Sequence, residues 1–185
     1  MWETEKGLVL EAAQRMAEKG FVVGTAGNIS MRLTDSGGRD LAAITPNNRY
    51  YDTLTVDDIG VLDFDGQPVE GELVASIEAM LHIGIYRARK KVNAVVHAHP
   101  VFGSVISVLG NPIPPILDDQ VTYLGGEIKV APYSLPGSQD LAGNVVSTMG
   151  PQNAVVLANH GTVAVGRDMR EAFTHLEMLE KTARI

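Results

Sequence analysis

Two histidines placed two residues apart are the feature of this sequence that points most directly to chemistry. His97 and His99 lie in the apolar run Ala-Val-Val-His-Ala-His at 94–99. Side chains two apart on a β-strand share one face, so the two imidazoles could chelate one metal ion. The alternatives are that one or both are buried histidines bonded to the backbone, or that the strand simply ends in solvent at His99.

Two further residues could complete a metal site. His160 stands in the motif Asn-His-Gly between two apolar segments, where a turn would present its side chain from a rigid scaffold, although the motif could be only a turn. Glu78 is an acid among apolar neighbours, and burying it without a cation would be costly. Three imidazoles and one carboxylate suit Zn²⁺, and another divalent transition metal is the alternative. We therefore predict Glu78, His97, His99 and His160 as metal ligands.

The other two histidines fit less well. His82 follows Glu78 by four residues and is a rival ligand, but we favour packing or support of a ligand as its role. His175 lies in the last predicted helix and is most simply a surface or packing residue.

Polar loops near these residues could hold an anion. The stretch Gly-Thr-Ala-Gly-Asn-Ile-Ser at 24–30 offers backbone N–H groups and side-chain donors, although it could be a simple glycine-rich turn. A second polar turn, Thr-Pro-Asn-Asn, occupies 45–48. The predicted substrate-binding residues of these loops, with one serine before Glu78, are Thr25, Gly27, Asn28, Thr45, Asn47, Asn48 and Ser76.

The elements that must position these residues follow from hydrophobic periodicity and turn signals. Helices are predicted at 3–19, 74–89, 101–109, 138–149 and from 168 onward, and strands at 28–33, 40–45, 59–64, 94–99, 127–131, 154–158 and 162–166. On this assignment Glu78 and His82 share one helix face. Because tight turns join many of the strands, we expect a mostly antiparallel sheet with helices on its faces, in a single domain spanning 1–185.

Composition narrows the function classes. The net charge of -7, without a cationic cluster, argues against nucleic-acid or anionic-lipid binding. The absence of cysteine leaves only histidine and carboxylate as metal ligands. Charged residues in the first twenty positions argue against a signal peptide, and no stretch approaches the roughly 20 apolar residues of a membrane span. We expect a cytoplasmic protein that binds no membrane.

Several motifs together resemble one family, the class II aldolases and adducins. They are the stretch at 24–30, Thr45-Pro46, Ser76-Ile77-Glu78, His97-Ala98-His99, Ala131-Pro132-Tyr133 and Asn159-His160-Gly161, in the family's order and approximate spacing. The resemblance implies an α/β (α+β) fold, with three α/β/α layers around a mostly antiparallel sheet. It also implies a homotetramer with active sites between subunits.

The same resemblance implies an activity. A zinc-dependent aldolase of the fuculose 1-phosphate type cleaves a ketose 1-phosphate to dihydroxyacetone phosphate and an aldehyde, through an enediolate that the metal stabilises. Glu78 would be both ligand and acid/base. The second acid/base would come from a neighbouring subunit, where Asp118 or Asp119 takes the place of the family's tyrosine. A dehydratase, epimerase or decarboxylase of a related sugar phosphate is the alternative, and an adducin-like interaction module is the third.

The sequence departs from the family pattern in the loops expected to bind phosphate. Thr-Pro-Ser-Gly is replaced by Thr-Pro-Asn-Asn at 45–48, and Ser-Ser-Glu is replaced by Ser76-Ile77-Glu78. Two hydroxyls and one glycine are therefore missing. Side-chain amides can still donate hydrogen bonds to a phosphate.

Overall fold

The computed structural model describes residues 1–185 and contains six helices and eight strands. The helices are α1 (Glu3–Glu18), α2 (Ala79–Ala88), α3 (Val101–Leu109), α4 (Asp118–Leu124), α5 (Gln139–Met149) and α6 (Met169–Arg184). The strands are β1 (Asn28–Thr34), β2 (Asp40–Ile44), β3 (Gly60–Asp63), β4 (Pro68–Glu70), β5 (Ala94–Ala98), β6 (Val130–Ala131), β7 (Ala154–Leu157) and β8 (Gly161–Gly166).

The strands form one sheet in the order β4-β3-β2-β1-β5-β8-β7-β6, and every neighbouring pair is antiparallel except β6 with β7. Strand β5 lies at the centre, between β1 and β8. In this register His97 faces Asn28 on one side and Val163 on the other. The central strands thus bring together residues that are far apart in the sequence.

Helices cover both faces of the sheet. Helices α1 and α6 pack on one face, where Ala94, Val96 and Ala98 of β5 join the larger apolar core. Helices α2 and α5 pack on the other face with Val95. This alternation is the period-2 pattern of a strand buried on both sides. The predicted three-layer α/β/α arrangement around a mostly antiparallel sheet is confirmed.

The start of the second helix differs from the prediction. The helix predicted over 74–89 begins only at Ala79, because Pro46 and Ala75 form a β-bridge and Ser76 N–H donates to the Thr45 carbonyl. These contacts tie Ala75 and Ser76 to the turn after β2, and Ile77 and Glu78 form a turn that leads into the helix. Glu78 is therefore the residue before the helix, and the predicted helix face shared with His82 is wrong.

Two short elements were not predicted from the sequence. Strand β4 has three residues, and helix α4 has seven. Both are too short for periodicity to reveal. None of the helices is long and apolar enough to span a lipid bilayer.

Candidate metal centre and substrate cavity

Three imidazoles and one carboxylate converge at the ends of the central strands. His97 Nε2 lies 3.1 Å from His99 Nε2 and 3.2 Å from Glu78 Oε2, and His160 Nε2 lies 3.4 Å from Glu78 Oε1. The ligand nitrogens of the three histidines all lie within 4.8 Å of one another. The structure therefore brings together all four residues predicted as metal ligands.

Backbone contacts orient the first of these histidines. His97 Nδ1 lies 2.9 Å from the Thr162 carbonyl oxygen, which can only accept, so Nδ1 carries the hydrogen and donates it. In the neutral ring, Nε2 then presents its lone pair to the cluster. Such support of the second ring nitrogen is typical of histidines that bind metal.

A serine on helix α3 fixes the turn that carries His160. Ser107 is buried, and its hydroxyl donates to the Leu157 carbonyl at 2.6 Å and accepts from His160 N–H at 2.8 Å. The Ser107 carbonyl accepts from Asn159 N–H at 3.0 Å. The sequence analysis did not identify Ser107, and its only local signal is that it is one of two serines in an otherwise apolar helix.

The protonation states of the site suit cation binding. Burial, followed by the nearby charge of His97 and His160, lowers the pKa of His99 to about 3, and burial likewise lowers the pKa of His160. Both rings are therefore neutral near pH 7 and keep a lone pair for a metal. Burial disfavours the Glu78 carboxylate, but its polar contacts with His97, Asn28 and His160 outweigh burial and lower the pKa of Glu78.

These residues fit a zinc ion. A tetrahedral zinc with bonds of about 2.0 Å holds its ligand atoms roughly 3.3 Å apart, close to the three shortest separations above. Asn28 Nδ2 donates to Glu78 Oε2 at 2.9 Å, but Glu78 Oε1 is buried without a hydrogen-bond partner in the protein. A buried anionic oxygen without a donor is costly, and a cation between the imidazoles would satisfy it.

A glycine is required beside the second histidine. A Cβ at Gly161 would overlap His99 Cδ2 and would lie 2.7 Å from the Ala98 carbonyl oxygen. We expect Gly161→Ala to displace the His99 ring and weaken zinc binding at least about tenfold, since ligand geometry and support typically change affinity by that factor. Competition with a chromophoric chelator measures the affinity.

Gly143→Ala is the matched control for that substitution. Gly143 lies in α5, and a Cβ there would meet no atom within 4 Å. This variant should keep the zinc affinity of the wild type and gain slightly in stability, because alanine is the better helix former. Equal zinc affinity in the two variants would contradict the steric argument.

A cavity of about 420 Å³ opens beside the candidate metal ligands. Glu78, His99 and His160 are among the residues that line it. Its remaining wall includes six of the seven residues predicted to bind substrate, namely Thr25, Gly27, Asn28, Asn47, Asn48 and Ser76. The seventh, Thr45, is fully buried and does not line the cavity, because its hydroxyl accepts from Ile29 N–H at 3.2 Å.

The other candidate histidines lie outside the cluster. His82 is fully buried, and its Nδ1 lies 2.7 Å from the Ser30 hydroxyl, which lies 2.7 Å from the Tyr86 hydroxyl. His175 is also buried, and its Nδ1 donates to the Val165 carbonyl at 2.6 Å, so it is a packing residue and not a surface one.

The two predicted acid/base aspartates do not line the cavity of their own chain. Asp118 and Asp119 are exposed at the start of α4, and Asp119 Oδ2 lies 3.0 Å from Lys181 Nζ of α6. Helix α4 contributes Leu124 to the core on the α1 and α6 side of the sheet. Their catalytic role stays a prediction that requires a second subunit.

Comparison with known proteins identifies the family. The model of the class II aldolase and adducin N-terminal domain matches residues 8–185. The chain belongs to this family. The predicted family and enzyme class, a class II aldolase, are thereby confirmed, and such aldolases depend on a metal ion.

Three relatives show the range of activities among similar proteins. A 5-deoxy-D-ribulose 1-phosphate aldolase of Bacillus thuringiensis is 33% identical, over 99% of this chain and 84% of the relative. A 3-oxo-tetronate 4-phosphate decarboxylase of Haemophilus influenzae is 32% identical, over 98% of this chain and 86% of the relative. The solved structure of an L-fuculose 1-phosphate aldolase has a TM-score of 0.90 and 31% identity, covering 98% of this chain and 84% of that chain.

Proposed function

We propose that the chain is a zinc-dependent aldolase that cleaves a ketose 1-phosphate to dihydroxyacetone phosphate and an aldehyde. The convergence of Glu78 with His97, His99 and His160 beside the cavity carries the proposal. When bound there, zinc would supply a Lewis acid for the negative charge that develops on the substrate oxygens as the carbon–carbon bond breaks.

Glu78 is the proposed acid/base of the cleaved carbon. Its carboxylate faces the cavity from the residue before α2, and Asn28 holds one of its oxygens. From this position it would deliver a proton to the carbon that loses the aldehyde. The proton on the hydroxyl of the aldehyde half must leave to another base. Asp118 or Asp119 of a neighbouring subunit is the proposed base, which makes the active form a homotetramer with shared sites.

The neutral wall of the cavity is the proposed phosphate site. It offers the Thr25 and Ser76 hydroxyls, the Asn47 and Asn48 amides and the backbone of Gly27. Asn47 and Asn48 stand where the family motif has serine and glycine, so their amides would take the place of that hydroxyl and that glycine. We propose a cytoplasmic location as part of the same function, which suits a sequence without cysteine.

A product assay tests the aldol reaction. Zinc-loaded protein is incubated with fuculose, rhamnulose and 5-deoxyribulose 1-phosphates, and dihydroxyacetone phosphate is followed through a dehydrogenase that consumes NADH. We expect release from at least one substrate, abolished by a chelator and restored by zinc. No release from any of the three by protein that contains zinc would contradict the proposal.

Decarboxylation of a 3-oxo acid phosphate is the second candidate. The Haemophilus influenzae relative is about as similar to the chain as the aldolases are. The same charge-stabilising site could serve both bond cleavages, because each leaves negative charge next to a carbonyl. Carbon dioxide release from 3-oxo-tetronate 4-phosphate, without dihydroxyacetone phosphate from the ketoses, would favour this candidate.

A further inference from the structure

The wall of the cavity that is proposed to bind phosphate carries no cationic side chain. None of the residues lining the cavity is lysine or arginine. Anion binding on this wall would therefore depend on how accurately neutral donors are aimed, since no lysine or arginine lines the cavity to compensate for poor alignment. The contacts that fix the backbone of the loop at 24–28 therefore control the affinity for the anion.

The hydroxyl of Tyr51 hydrogen-bonds to the backbone of that loop. Tyr51 begins a short 3-10 turn, Tyr51–Thr53, and is only 2% exposed. Its hydroxyl lies 3.2 Å from the Ala26 carbonyl oxygen and 2.5 Å from the Gly27 carbonyl oxygen, and its hydrogen is directed at this pair. Burial raises the pKa of Tyr51 above its usual range, so the phenol stays protonated and donates.

The contact determines where the free donor points. The C=O and N–H of a trans peptide point in opposite directions, so a carbonyl of Ala26 that faces Tyr51 turns Gly27 N–H away from the phenol. Gly27 lines the cavity, and its N–H has no acceptor within the protein. Gly27 also has φ 74°, and a Cβ there would lie 2.7 Å from the His97 carbonyl oxygen. The loop therefore packs directly on the metal-binding strand.

We propose that Tyr51 is a positioning residue for anion binding, which aims the 24–28 loop at the phosphate group of the substrate through its hydrogen bonds to the Ala26 and Gly27 carbonyls. This inference deepens the proposed function and rests on the phosphate site assigned there. Tyr51 touches neither the substrate nor the metal, so it acts only through the loop. Its loss should weaken phosphate binding and leave zinc in place.

Tyr51→Phe tests the role, with Tyr86→Phe as the matched control. Tyr86 is also fully buried, and its hydroxyl bonds to the Ser30 hydroxyl, away from the cavity wall. Each variant loses one buried phenol hydroxyl, so both should lose stability. Calorimetric titration of the zinc-loaded proteins with inorganic phosphate gives the affinity, and metal analysis gives the zinc content.

We expect Tyr51→Phe to bind phosphate about tenfold more weakly, the factor that corresponds to one well-placed hydrogen bond, with unchanged zinc content. Tyr86→Phe should bind phosphate as the wild type does. If the aldolase assay succeeds, Tyr51→Phe should raise KM by a similar factor and change kcat little.

Three results would overturn the inference: wild-type phosphate affinity in Tyr51→Phe, equal weakening in both variants, or no saturable phosphate binding by the wild type. The phosphate titration requires no turnover. A failure of the aldolase assay would therefore contradict the proposed reaction. The phosphate titration would still test the role of Tyr51 independently of that result.

Discussion

Replacing His97 with asparagine should leave the protein without bound zinc and lower dihydroxyacetone phosphate release by a thousandfold or more, roughly the effect of several kcal/mol of charge stabilisation. Asparagine can keep the hydrogen bond to the Thr162 carbonyl because its amide nitrogen can replace Nδ1. It offers no nitrogen lone pair at the position of Nε2. Metal analysis after dialysis and the coupled assay measure the two effects.

His175→Asn is the matched control for that experiment. His175 is buried and donates Nδ1–H to a carbonyl of β8, as His97 does, but it lies outside the metal cluster. The control should lose some stability and keep its zinc. Stoichiometric zinc in His97→Asn, or loss of zinc from both variants, would contradict the assignment of His97 as a ligand.

Replacing Glu78 with glutamine should separate metal binding from proton transfer. Glutamine keeps the size of the side chain and an oxygen ligand but cannot take up and release a proton. We expect zinc to remain on the three histidines, more weakly held, and kcat to fall about a thousandfold, within the range that general acid–base catalysis contributes. Single-turnover release of dihydroxyacetone phosphate from zinc-saturated protein measures this loss.

A surface glutamate provides the comparison for Glu78. Glu177 pairs with Arg15 and Lys19 at 2.9 and 3.0 Å on the outside of the protein. Exposed ion pairs contribute little, so Glu177→Gln should keep both zinc and turnover. A Glu78→Gln variant that turns over at the wild-type rate with zinc bound would rule out Glu78 as the acid/base.

The four candidate metal ligands could be proposed from the sequence because each has a local signal. The spacing of His97 and His99 matches the two-residue period of a strand, and His160 stands between two apolar strands. The four residues form a cluster once the segments that carry them are adjacent in the fold. An antiparallel sheet with short connections favours that arrangement. The same local logic explains why the layers and most strands agree with the structure.

The features that could not be predicted depend on contacts between distant segments. Helix α2 starts late because the backbone at Ala75 and Ser76 pairs with the turn after β2. Thr45 is buried because it bonds to Ile29 of the neighbouring strand. Tyr50 and Tyr51 are adjacent aromatic residues, and nothing in their immediate sequence indicates that the second is the buried one.

The central position of β5 has a consequence for folding. One of its neighbours, β1, comes well before it in the sequence, and the other, β8, comes well after it. Pairing all three strands therefore requires closing long loops, which is a slow step in sheet formation. The ligands carried by β5 and by the turn before β8 meet only after that step. A metal ion would therefore bind the completed centre of the sheet in preference to any unfolded or half-folded chain and would draw the folding equilibrium toward it by mass action.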